Sequence, residues 1–304
     1  MRRDTKKRHT SFPKWMNDEN QARYNQFMDV STLSVMTYNL RFASDARPHS
    51  WQERLPVALE MIHNQEPDII GTQEGFYSQL CDLERGLPDY RWIGLGRDGG
   101  SAGEFMAVFY RKERLKPLSY HHYWLSDTPT SMGSSTWGNS NRRMVTEVVF
   151  LDQETSKTFQ FWNTHFDFAD PFHSKAANLV LTRLRSLSGS EPIILVGDFN
   201  APAEDTNTAT GASDTEGNTA PYNLYRKMTS SDAFRDAYKE APEKLGPQGI
   251  ASFHGYEGEM AGERIDWILL HGMVHSQSTS IVTFRAPNGQ YPSDHFPITV
   301  KLTF

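Results

Sequence analysis

The stretch Ile193-Ile194-Leu195-Val196 stops at Gly197 and gives way at once to Asp198-Phe199-Asn200. An aliphatic run of this kind needs a sheet to bury it. Side chains in a strand alternate between two faces, so Asp198 and Asn200 share one face just past the strand's end. Core packing asks for neither. Four other strand-like segments end or break at polar residues in the same way: 35–39, 67–74, 161–165 and 264–268. Ser293-Asp294-His295-Phe296-Pro297 adds an acid and a histidine ahead of a last strand. A chain with this many polar strand tips is expected to gather them at the end of a sheet.

The order of elements narrows the fold class. A polar leader over 1–30 is followed by a strand over 33–39, then by Leu55, Ala58, Leu59 and Ile62 at helical spacing before Pro67. A strand over 68–74 and a short helix near 77–83 come next. Strands follow over 105–110 and 144–150, with a long loop between them, and 158–164 pairs back across a turn at 152–157. Ala176, Leu179, Val180 and Leu184 mark a helix before the strand that begins at Ile193. Hairpins mixed with strand–helix units predict an α+β (α/β sandwich) fold, with two packed mixed sheets and outer helices, over a doubly wound parallel sheet. One domain is expected over 31–304, since no repeat or composition break divides the chain. At that length roughly 75% of the extended-chain surface is buried on folding, enough for a single core.

Two loops stand out. The loop over 120–143 carries Trp124, Trp137, Asn141, Arg142 and Arg143, and loops of that length are commonly functional. Residues 205–220, almost all Thr, Ala, Gly, Asn, Asp and Glu, read as a flexible insertion without a catalytic role. The glycine-rich patch over 94–103 lacks the strand-to-helix fingerprint of a nucleotide phosphate site.

Charge and cysteine content exclude some classes. The net charge of −6 gives no polyanion-binding signal over the whole chain. It leaves a phosphate substrate open, because a bound cation reverses the local field. The single cysteine, Cys81, has no partner for an internal disulfide and is expected to be a buried, inert thiol. The basic start at 1–9 is followed by no apolar stretch of signal-peptide length, and no run approaches the roughly 18 apolar residues of a membrane span. A cytoplasmic protein without stable membrane insertion or an obligate protein partner is the expectation.

The polar tips suit a divalent cation and a phosphate ester. Mg²⁺ takes oxygen ligands, commonly one or two carboxylates together with substrate phosphate oxygens. Glu74, directly after an apolar run, is the best single ligand; its other reading is a solvated strand end. Asn39 is either a turn residue or a group orienting that ligand or binding the phosphate. Asp198 is a second ligand or a base that activates water, with Asn200 donating to the same oxygens. His165 and His295 sit near acids in sequence, which favours the protonated ring needed beside a phosphoryl group. Asp266 interrupts the strand continuing through Ile268-Leu269-Leu270, so it is either an ion-pair partner of Arg264 or the carboxylate that orients a histidine. Arg97, Arg142 and Arg143 are candidates for distal phosphate contacts, and Trp124 and Trp137 for stacking, each against an ordinary structural reading. No Cys/His cluster has zinc-site spacing.

Taken in order, Thr37-Tyr38-Asn39-Leu40, Gln73-Glu74, Gly103-Glu104-Phe105, Asn163-Thr164-His165, Gly197-Asp198-Phe199-Asn200, Arg264-Ile265-Asp266 and Ser293-Asp294-His295 resemble the endonuclease/exonuclease/phosphatase superfamily with its deoxyribonuclease I-like fold. The resemblance spans about 33–304. It implies Mg²⁺ or Mn²⁺ on Glu74 with Asn39 and Asp294 close by, and Asp198 positioning or deprotonating the attacking water. It also implies Asn200 on a phosphate oxygen, His295 facing the phosphate with Asp266 behind it, and His165 on the other side with support from Glu104. Two departures touch substrate contacts: Phe168 stands where many relatives carry histidine, and His173-Ser174-Lys175 where arginine is common. Segments 123–126 and 137–139 look most like poorly characterised bacterial members nearer the deadenylase type than deoxyribonuclease I.

The function expected is a divalent-metal-dependent phosphoesterase that hydrolyses a phosphodiester. The alternative is a phosphomonoesterase or a phosphoesterase of lipids or small metabolites. A catalytically silent binding protein on the same scaffold is the remote alternative. A short or single-stranded nucleic acid stays open as substrate, whereas a long duplex does not fit a chain without a dense Lys/Arg stripe.

Overall fold

Gly71 on one strand lies so close to Val196 on another that an added Cβ would stand 2.3 Å from the valine methyl. Those two strands belong to different sheets, and their contact is the middle of the molecule. The computed structural model describes residues 31–43, 46–168, 171–203, 222–230, 233–247, 249 and 251–304. The leader expected over 1–30 and the insertion expected over 205–220 lie outside the described residues, and Leu33–Phe304 forms one compact unit.

The first half of that unit runs β1 (Leu33–Asn39), α1 (Trp51–Gln65), β2 (Ile69–Gly75), α2 (Tyr77–Gly86), β3 (Tyr90–Ile93) and β4 (Phe105–Arg111). It continues with β5 (Leu115–Trp124), β6 (Met144–Asp152), β7 (Lys157–His165), α3 (Phe172–Ser186) and β8 (Ile193–Asp198). The remainder is α4 (Tyr222–Met228), β9 (Arg235–Asp236), α5 (Ala237–Glu240), β10 (Glu243–Leu245), β11 (Asp266–His271), β12 (His275–Ile281) and β13 (Ile298–Thr303). One sheet has the order β10-β12-β13-β1-β2-β4-β3 and the other β5-β6-β7-β8-β11-β9. Both are mixed. Each contains one parallel pair that flanks a helix in sequence, β1 with β2 across α1 and β7 with β8 across α3. This is the two-sheet α+β sandwich with outer helices that the sequence predicts, of the deoxyribonuclease I-like kind.

The alternation along β1 and β8 shows why they read as unbroken apolar runs. Leu33 and Val35 enter the core between the sheets, as do Ile194 and Val196. Met36 and Tyr38 face the layer of α1 and α2, while Ile193 and Leu195 face α3. Strands covered on both faces have no polar side to show. Fully buried side chains of this size are worth ~1.5–3 kcal/mol each. The sheets are also tied by polar contacts at their centre. Asn163 donates to the carbonyls of Thr72 and Ala107, both at 2.8 Å, and accepts from Gln73 at 2.7 Å.

Three differences from the sequence reading have local causes. The loop expected from 120 begins five residues late, because Leu115–Trp124 is an edge strand with an exposed middle and with Pro117 at a register break. Proline is tolerated there because an edge bulge needs no N–H. β12 is His-Ser-Gln-Ser-Thr-Ser-Ile, too polar to register as a strand. Cys81, expected to be buried, is half-buried on α2.

Candidate active site

Strand register brings the polar tips together. Parallel pairing of β1 with β2 sets Asn39 beside Gln73, next to Glu74. Pairing of β7 with β8 sets His165 beside Asp198, and pairing of β8 with β11 sets Asp198 opposite Asp266. The β2–β4 register breaks between Thr72 and Gly75, and Glu74 there has φ 63°. Asn200 has φ 49°. Left-handed backbone at non-glycine residues is held only where surroundings compel it, and it re-aims both side chains.

Asp198 is the hub. Its Oδ1 accepts the Asn200 backbone N–H at 2.9 Å, and its Oδ2 accepts Asn39 Nδ2 at 2.9 Å. The same Oδ2 lies 3.5 Å from His165 Nε2 and 3.8 Å from His295 Nε2. Asn39 Nδ2 also donates to Glu74 Oε1 at 3.0 Å, so Asn39 orients two carboxylates. Arg54 of α1, fully buried, donates to the carbonyls of Leu40, Arg41, Phe42, His49 and Pro292. It thereby ties the loop after Asn39 to the loop before Asp294.

The two histidines differ. His295 is bound through Nδ1 to Asp266 Oδ2 at 2.9 Å. Burial alone would lower its pKa; the charge and hydrogen bond of Asp266, with Asp198 and Asp294 adding, outweigh burial and raise it to about 10. Arg264 pairs with Asp236 instead, which leaves Asp266 to the histidine. His165 has no hydrogen-bonded acid among the described residues, although Asp198 Oδ2 stands 3.5 Å from its Nε2. Its Nε2 accepts from Asn200 Nδ2 at 3.0 Å, and its Nδ1 has no partner among the described residues. Burial, then Arg143, Arg97 and His295, push its pKa well below the usual value. Glu104, expected to support His165, is bonded to Arg97 at 2.7 Å instead.

Asp198 is buried among other carboxylates. Burial, then Asp266, push Asp198 up to about 7, with Glu74 adding to the rise and His295 and the Asn200 N–H opposing it. Ligand atoms of Glu74, His165 and Asp198 lie within 4.8 Å of one another, and so do those of Asp198, Asp266 and His295. The second group is already joined by the Asp266–His295 hydrogen bond. The first, with the Glu74 carboxylate open to the pocket, fits a divalent cation. Asp294 lines the same pocket, 3.6 Å from Arg41 Nε, and belongs to neither group.

The pocket measures about 430 Å³. Arg143 lines it with 3% of its surface exposed, and its Nε and Nη1 have no partner among the described residues. Arg97 and Glu104 line it as well. Arg142 does not: it is held outward by Asp98 at 3.0 Å and the Gly133 carbonyl. Neither tryptophan lines it. Trp124 is buried with Met106 and Met144, its indole N–H on the Arg97 carbonyl at 2.7 Å. Trp137 donates to Asp127 at 2.8 Å, with Lys175 over its ring. The rings that do line it are Phe42, Phe168 and Phe253, and of these only Phe168 was marked in the sequence, as a departure. Arg41, also unread, lies over Phe42 at 4.2 Å. His173 is buried on the Asp167 carbonyl, away from the pocket lining.

The arrangement joins an oxygen-rich cation site, a central carboxylate and a charged histidine, as in a hydrolase of phosphate esters. The chain belongs to the Endonuclease/Exonuclease/phosphatase family, whose family model matches residues 36–295. Among solved structures it is similar to a Bacteroides thetaiotaomicron mannosyl-6-phosphatase, at 31% identity, TM-score 0.78, and coverage of 90% of this chain and 100% of that one. A Bacteroides vulgatus endonuclease/exonuclease/phosphatase compares at 29% identity and TM-score 0.78, covering 90% and 99%. The human nocturnin catalytic domain shares the fold at 20% identity and TM-score 0.64, covering 90% and 94%. An uncharacterized protein of Acanthamoeba polyphaga mimivirus is 32% identical over 185 residues, 57% of this chain and 67% of that protein. Among these solved structures the bacterial members match better than nocturnin does. No helix among the described residues is long and apolar enough to cross a membrane.

Proposed function

We propose that the protein is a divalent-metal-dependent phosphoesterase for a small phosphorylated substrate, and that a monoester fits it better than the diester put first by the sequence. The observation carrying this reading is the convergence of Asn39, Glu74, Asp198, Asn200 and the Asp266–His295 pair at one pocket, beside Arg143, whose Nε and Nη1 have no hydrogen-bond partner among the described residues. His295 and Arg143 offer positive charge to a monoester's extra negative charge, with Arg41 beside them, 3.6 Å from Asp294. The bacterial relative described as a mannosyl-6-phosphatase supports a small substrate. The net charge of −6 speaks against a long nucleic-acid track.

Glu74 and Asp198 would hold Mg²⁺ or Mn²⁺, which supplies charge neutralisation at the phosphoryl oxygens and a more acidic water. Asp198 accepts the water proton as its oxygen bonds to phosphorus. Asn200 Nδ2 exchanges its bond to His165 for one to a phosphoryl oxygen, and the charged His295 Nε2 donates to another. The bond from phosphorus to the leaving alcohol breaks, and a proton from solvent or His295 neutralises the alkoxide. Asp266 keeps His295 oriented and charged. A cytoplasmic location is part of the same reading, motivated by the lone cysteine.

The test is a panel of hexose 6-phosphate, p-nitrophenyl phosphate, bis-p-nitrophenyl phosphate and a single-stranded oligonucleotide, each with Mg²⁺ and Mn²⁺. Monoesters are expected to turn over fastest. Faster cleavage of the diesters restores the first sequence reading, and no turnover of any member leaves the silent binding scaffold.

A further inference from the structure

One part of the pocket wall has no task in that hydrolysis: Arg97, Glu104, Asn141 and Phe168. Arg97 Nη1 meets Glu104 Oε2 at 2.7 Å, and Arg97 Nη2 meets Asn141 Oδ1 at 3.4 Å. The side chains of Arg97 and Glu104 are only 13% and 12% exposed. The hairpin that carries them is fixed from behind. Arg97 N–H bonds the Glu104 carbonyl at 2.9 Å, and the Trp124 indole bonds the Arg97 carbonyl. Phe168 is 64% exposed, with the Arg143 guanidinium 5.3 Å from its ring centre.

We propose that this wall is the leaving-group subsite and that it takes a neutral, polyhydroxylated ring, the sugar of a sugar phosphate; the inference rests on the phosphoesterase reading above. A hydroxyl both donates and accepts, whereas guanidinium only donates and carboxylate only accepts. Adjacent Arg97 and Glu104 therefore match neighbouring hydroxyls, and Asn141 supplies both functions beside them. A second phosphate finds the opposite. Glu104 repels it, and Arg97 already spends its charge on Glu104. Phe168, beyond its contact with the Arg143 guanidinium, still offers a large apolar face to solvent, and that face suits the C–H face of a sugar ring. Phe253, 49% exposed and edge-on to His295 at 5.1 Å, gives the pocket a second such face. The cavity of about 430 Å³ lies within the ~300–1,000 Å³ typical of small-molecule sites.

The experiment compares kcat and KM for hexose 6-phosphate, hexose 1,6-bisphosphate and ethyl phosphate, which has neither ring nor free hydroxyl. Wild-type protein is expected to favour hexose 6-phosphate over ethyl phosphate by at least a hundredfold in kcat/KM, and over the bisphosphate by about tenfold. Phe168→Ala and Glu104→Gln are each expected to cut the hexose-to-ethyl ratio by about tenfold, chiefly through KM for the sugar. Phe168 is exposed, so its variant folds even if the Glu104 variant does not. Equal use of ethyl phosphate and hexose 6-phosphate by wild type, or an unchanged ratio in Phe168→Ala, overturns the subsite while leaving the phosphoesterase reading intact. Preference for the bisphosphate overturns the neutral-ligand assignment. Hydrolysis of none of the three, with metal present, overturns the phosphoesterase reading and this inference with it.

Discussion

The two ends of the sandwich both bury charge, and they do it in opposite ways. At the end where β2 and β7 begin, Arg114 meets Asp68 at 2.9 Å and Asp152 at 3.0 Å, and Asp152 also accepts from Glu154 N–H and Thr155. Burial pushes the Asp152 carboxyl up, but these donors outweigh it and hold it below its usual value. At the end where β2 and β7 finish, polar atoms of Arg143, His165 and Asp266 lack partners among the described residues, and Asp198 is driven up to about 7. Buried charge that is paired off supports the fold; buried charge left over waits for a ligand. The atoms left over on Arg143 and His165 lie at the end that carries the candidate active site.

The largest effect that sharpens this contrast is expected from Asp198→Asn. Turnover should fall on the order of a thousandfold, the middle of the general-base range, with the melting temperature kept or raised because an acid held up by its neighbours is removed. Turnover near wild type, with chemistry rate-limiting, breaks the assignment. Asp152→Ala at the other end should do the reverse. Leaving Arg114 buried without that partner costs about 3 kcal/mol of stability in a denaturant titration, while kcat of the folded protein stays unchanged. A tenfold loss of kcat in that variant would erase the distinction between the ends.

Smaller, and dependent on pH, is Asp266→Asn. His295 is raised to about 10 in the folded chain, above an unfolded value of about 6.5. Its ion pair therefore contributes stability fully below pH ~6.5, and that contribution is lost as pH rises through about 10. Activity that needs the charged ring should show an alkaline limb near 10. In Asp266→Asn the limb should move down, because the largest charge raising His295 is gone. A pH–rate profile checks it, and an alkaline limb that stays in place would mean that His295 does not act as the cation.

Much of this was legible in the sequence, for reasons that particular residues show. Ile193–Asp198 and Leu33–Asn39 are buried on both faces, so their runs and polar tips stood out. Asp266 announced itself by breaking a strand, and its 2.9 Å bond to His295 has the length expected of an orienting pair. Glu104 illustrates what could not be read. Its partner depends on how the hairpin over 96–105 folds back, and that places Arg97 against it instead of His165. Arg41, Phe42 and Phe253 lie in segments with no periodicity, so only the assembled pocket reveals them. Trp124 misled because composition marks a tryptophan as a stacking platform, while its strand position turns it into the core.

The central claim, that the end carrying Asp198 works by holding a divalent cation on Glu74 and Asp198, is tested most directly by removing and restoring the metal. Protein stripped with a chelator and verified metal-free should hydrolyse no phosphoester and should regain activity on titration with Mg²⁺ or Mn²⁺. In Glu74→Gln the half-saturating concentration should rise at least tenfold, since a neutral amide replaces an anionic oxygen ligand. Full activity in the metal-free protein, or an identical titration in Glu74→Gln, would contradict the account.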